Sequence, residues 1–102
     1  MKIPKTVNIL SDIYTVKVEP DIFPNSSGKM LSGQISYAEK TIRIAKAENT
    51  TMIKTLMHEI IHGICTELSL YDNDDHDETF VDRLAVGIID TLQRNNLLRK
   101  EK

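Results

Sequence analysis

Two short runs near the start of the chain alternate apolar and polar positions, Thr6-Val7-Asn8-Ile9-Leu10 and Ile13-Tyr14-Thr15-Val16-Lys17-Val18. A period of two in β-branched residues predicts strands with one buried face, and Ser11-Asp12 between them predicts a tight antiparallel turn. Ile35, Tyr37, Ile42 and Ile44 repeat the pattern around Ala38-Glu39-Lys40. This predicts a second hairpin, strands 33–37 and 41–45, and a sheet of about four strands. Between the hairpins, positions 19–32 hold Pro20, Pro24, Asn25, Ser26, Ser27 and Gly28, the composition of a surface connection with room for one helical turn.

The period then changes. Ile53, Leu56, Met57, Ile60, Ile61, Ile64 and Leu68 fall on one stripe at about 100° per residue, which predicts a helix capped by Asn49 or Thr50 and running to about Leu70. A second stripe, Phe80, Val81, Leu84, Ala85, Ile88, Ile89 and Leu92, predicts the buried face of a helix from Asp75–Asp77 to about Asn95. Strands followed by helices give an α+β class: a small, mostly antiparallel twisted sheet against two helices, in one domain spanning 1–102.

Composition narrows the function classes. With 40% hydrophobic residues, 27% charged residues and a net charge of -2, the chain reads as an ordinary folded domain, and direct nucleic-acid binding is not expected. No apolar run has the length to cross a bilayer, and Met1-Lys2-Ile3-Pro4-Lys5 does not read as a signal peptide. Cys65, the single cysteine, has no partner for an internal disulfide and reads as a buried free thiol. The expected location is the cytoplasm, without a membrane partner.

Candidate chemistry lies in the first helix, at His58-Glu59-Ile60-Ile61-His62. Histidines four apart project from one helix face about 6 Å apart along the axis, so both imidazoles can reach one metal ion. Glu59 follows the first histidine and can lie beside the metal, where a carboxylate takes a proton from zinc-bound water. Plotted on the wheel, both histidines stand largely opposite the apolar stripe, facing a cleft with Thr51, Thr55, Glu59 and Thr66. A catalytic Zn2+ needs three protein ligands and one open position. Glu78 and Asp82 fall at the edge of the second helix's buried stripe, which aims both carboxylates inward. His76 is a further candidate, as a ligand or as a cation steadying an oxyanion; Tyr71 and Tyr37 are alternative oxyanion donors. The acidic stretch Asp72–Asp77 lacks the glycine and glutamate of an EF-hand loop, so calcium binding of that type is not expected.

Glu78-Thr79-Phe80-Val81-Asp82 following His58-Glu59-Ile60-Ile61-His62 resembles the gluzincin type of zinc metallopeptidase, in which a ligand glutamate on a later helix has an aspartate four residues on. The resemblance implies His58, His62 and Glu78 as metal ligands, Glu59 as general base and Asp82 as the partner that orients a ligand histidine, His58 in the first place. Asp77 stands where that group has asparagine and Val81 where it has serine. Taken over most of the chain, the likeness is to very small members: the minigluzincins and the compact phage or prophage-borne peptidases related to the ImmA/IrrE group. It implies a compact zincin-like fold and a zinc metalloendopeptidase acting on a protein or peptide, such as a repressor-type or phage protein. A carboxy-terminal tail that occludes the cleft would fit latent members of that group. The metzincin pattern fails, because Cys65 and Leu68 stand where it requires glycine and histidine. The alternative is a zinc-containing, catalytically silent protein-binding module of the same fold.

Overall fold

A computed structural model describes residues 2–22, 31–70 and 78–97. Its elements follow the order β1 (Thr6–Ile9), β2 (Asp12–Glu19), β3 (Gly33–Ser36), β4 (Thr41–Ala45), α1 (Asn49–Glu67) and α2 (Glu78–Arg94). Both predicted hairpins are present and antiparallel, β1 with β2 and β3 with β4. They join through a parallel pairing of their inner strands, Thr15 to Thr41 through Glu19 to Ala45, giving a mixed sheet in the order β1-β2-β4-β3. Among the described residues, strands β1 and β3 are therefore the edges.

The first turn sits one residue earlier than predicted. Ile9 pairs with Asp12, so Leu10-Ser11 forms the loop, and Leu10 takes a left-handed φ of 57° that a two-residue turn demands. Asp12 belongs to the strand through its pairing with Ile9, and its carboxylate accepts a 2.8 Å hydrogen bond from Lys40, which also lies 3.7 Å from Glu67 near the end of α1.

One sheet face packs on α1. Ile9, Tyr14, Val16, Ile42, Ile44 and Leu56 form the main core, with Ile35, Met52, Ile60 and Ile64 against it. Gly63 permits the close approach: a Cβ there would lie 2.7 Å from Ile9 Cδ1. Among the described elements α2 touches only α1, through a second, smaller cluster of Ile61, Val81 and Ala85 with Met57, Cys65 and Ile88 around it. Cys65 is a free thiol within that packing.

Several expectations are corrected. Asn49 and Thr50 are not caps but helical residues; Glu48 holds the N-cap position without a side-chain capping bond. Helix α1 ends at Glu67, because Ser69 turns left-handed (φ 54°) and the chain closes with a 2.8 Å bond from Leu70 N to Cys65 O, leaving Leu68 exposed. Phe80 and Leu84, predicted to be buried, are 58% and 39% exposed; among the described elements α2 packs on α1 alone. The predicted helix start at Asp75–Asp77, positions 23–30 of the 19–32 connection and the tail from 98 lie outside the described residues.

Candidate metal centre

Helix α1 is enclosed on two sides, by the sheet and by α2, and on the third it forms the floor of an open cavity of about 640 Å³. His58, Glu59 and His62 lie on that floor, with Thr51, Lys54 and Thr55 one to two turns earlier. Edge strand β3 and its flanks supply one wall, from Leu31 to Tyr37, and α2 supplies Glu78 and Asp82.

Three donors converge. His58 Nε2 and His62 Nε2 are 3.1 Å apart, and Glu78 Oε1 lies 2.8 Å from the first and 3.2 Å from the second. Donors bound tetrahedrally to zinc at about 2.0–2.1 Å stand roughly 3.3 Å from one another. The triangle seen here is that shape, contracted by a few tenths of an ångström, and its three residues form a group able to hold a metal ion. Asp82 Oδ1 lies 3.3 Å from Nδ1 of His58, on the side of the ring away from the other donors. A carboxylate there favours the tautomer with hydrogen on Nδ1 and leaves Nε2 with its lone pair facing the triangle.

The helical wheel misjudged the surroundings of this group. His62 and Glu59, placed opposite the buried stripe by the sequence, are only 5% and 7% exposed. Strand β3 and α2 close over the histidine face from either side, which a wheel of one helix does not contain. Glu78 and Asp82 reach the histidines, yet both side chains stay largely open to solvent rather than aimed inward, so burial alone does not compel a cation there.

Electrostatics separate the carboxylates. Burial pushes the Glu59 carboxyl up to about 7, opposed by His58 and reinforced by Glu78. Burial pushes Glu78 up as well, but hydrogen bonds and charge from His62 and His58 outweigh it and hold that group below its ordinary value. One carboxylate is thus basic near neutrality and the other is ionised beside the histidine nitrogens.

Strand β3 passes close above Glu59. A Cβ on Gly33 would lie 2.5 Å from Thr55 Cγ2 and 3.2 Å from Glu59 Oε2. A glycine within a strand is a signal of close approach. Lys54 was missed; it lies one helical turn before His58. Tyr37 lines the same cavity, where burial raises its phenol against a hydrogen bond with Thr66. Tyr71 and His76, the other candidate oxyanion stabilisers, lie outside the described residues, as does Asp72–Asp77. No helix among the described residues is long and apolar enough to cross a membrane.

Comparison with protein-family models, curated proteins and solved structures finds no match to this chain.

Proposed function

We propose that the protein is a zinc-dependent metallopeptidase of compact zincin-like fold that hydrolyses peptide bonds in a protein substrate. The observation that carries this reading is the convergence of His58 Nε2, His62 Nε2 and Glu78 Oε1 to within 2.8–3.2 Å, with the buried Glu59 on the same cavity floor.

Zinc held by these three donors would polarise a substrate carbonyl and lower the pKa of a water bound to it. Asp82 fixes the His58 ring so that Nε2 remains the binding nitrogen. Glu59 is the proton carrier: its raised basicity suits it to take a proton from the attacking water and return it to the leaving amine. The edge of β3, unpaired among the described residues, runs along the cavity, and an extended peptide added to it as another strand would lie across Glu59 and the donor triangle. Backbone hydrogen bonds of that kind let a small domain hold a substrate without a second lobe. A repressor-type or phage protein is the first substrate class to try, on the sequence resemblance.

The test has two stages. Zinc content of the purified protein should be about one per chain, lost or weakened in His58→Ala and Glu78→Ala and retained in Glu59→Gln. Peptide cleavage should disappear in Glu59→Gln. Undiminished zinc affinity in Glu78→Ala removes the third ligand, and undiminished cleavage in Glu59→Gln removes the proposed base.

A further inference from the structure

Charge is divided between the two ends of the cavity. Glu59, Glu78 and Asp82 gather at the histidines, whereas Lys54 lines the floor one helical turn earlier and is the one fixed cation among the described lining residues. It is exposed and has no ion pair with a described residue.

The register of β3 places a bound peptide over this lysine. Ala45 N–H donates to Ser32 O at 2.8 Å, and alternation from that bond turns the backbone N–H and C=O of Gly33 and Ile35 away from β4, towards the strand's open side. A peptide paired with those groups directs every second side chain at α1. Strand β3 runs in the same sense as α1: Gly33 stands against Thr55, Ile35 against Gly63, and Tyr37 bonds Thr66. The end of the peptide beside Gly33 therefore passes Lys54. His58 and His62 lie about 6 and 12 Å along α1 from Lys54, a span of about two to four residues of extended chain.

We propose that Lys54 selects substrates carrying an aspartate or glutamate about three residues from the scissile bond, on the side of the peptide that lies beside Gly33. This rests on the peptidase reading of the same cavity and adds the substrate class. The acid meets a cation there, while a basic side chain at that position is repelled and is better placed near Glu78 and Asp82.

A pool of unstructured decapeptides, randomised at the central positions and incubated with the zinc-loaded chain, tests this by mass spectrometry of the cut sites. Aspartate and glutamate should be enriched about three- to five-fold at one position, about three residues from the cut, with lysine and arginine depleted there. About 0.5 M salt should flatten the preference, Lys54→Ala should remove it, and Lys54→Glu should reverse it towards basic residues. Zinc content of each variant shows whether the centre is still formed. Cleavage without an acid preference at that position, or with one that survives Lys54→Glu, overturns this proposal and leaves the peptidase reading standing. If nothing is cut, the peptidase reading falls, and retention of the same pool on the immobilised chain decides the role of Lys54. Acidic peptides retained by the parent and lost in Lys54→Glu uphold it as a binding residue; retention without that bias, or no retention, overturns it.

Discussion

Asp82 sits outside the donor triangle, 3.3 Å from Nδ1 of His58, and in the proposed centre it would act through that ring. Asp82→Ala should leave the secondary structure intact and weaken zinc binding about 10- to 100-fold, measured by titration against a competing chelator. Equal affinity would mean that the ring is oriented by something else. Glu59 has the opposite character, because its burial acts against the fold. In the metal-free protein its folded-state value of about 7 stands above the ordinary 4.5. The folded chain therefore keeps a proton that the unfolded chain releases. Stability falls as pH rises from about 4.5 to 7 and does not recover above it. Glu59→Gln should abolish that loss and leave the metal-free protein more stable above neutrality, on the order of 3 kcal/mol at most. Urea denaturation with a chelator present at pH 5 and pH 8 measures it; equal gains at both values would remove ionisation as the cause.

Among the elements, β3 depends most on one position. Gly33→Ala places a methyl against Thr55 Cγ2, and because Glu59 Oε2 and the Arg43 carbonyl also crowd the site, the strand must shift outward. A destabilisation of about 1–3 kcal/mol is expected. Thr55→Ser removes the nearest atom and should relieve part of that loss, so the two substitutions combined should be less damaging than their separate effects imply. Strict additivity would show that the strand had moved for another reason. The strands and helices themselves were legible in the sequence, because periods of two and of 3.6 are local properties. Pairing of β2 with β4 was not, since alternation fixes the faces of each hairpin but says nothing about which strand of one meets which strand of the other. Helix ends were misread for a related reason: Asn49 has the chemistry of a cap, yet the chain enters the helix one residue sooner. At the centre, His58 and His62 were legible from spacing alone. Glu78 and Asp82 needed the resemblance as well as the edge of a stripe, and Gly33 gave only the signal of a glycine in a strand.

For the whole molecule, the attachment of α2 matters most. This helix is held by Val81, Ala85 and Ile61 rather than by the main core, and it carries Glu78. Val81→Ala should cost about 1–3 kcal/mol and increase hydrogen exchange in α2 before the sheet. Zinc affinity should fall with it, because ordering α2 then draws on the binding energy. Faster exchange in α2 with unchanged zinc affinity would separate Glu78 from the metal. Conversely, zinc should raise the melting temperature and slow exchange in α2 more than in β1 and β2.

The mixed sheet also bears on how the chain finds its structure. Each hairpin closes over a short local loop, Leu10-Ser11 in one and 37–40 in the other, whereas the parallel seam joins Thr15 to Thr41 across everything between them. Loop-closure entropy favours an order in which the two hairpins form separately and then meet. The pairing that gives the sheet its continuity is thus the one that topology makes slowest. Until it closes, β2 and β4 each present an unpaired edge to other chains, so the nascent protein is most prone to aggregate in that interval.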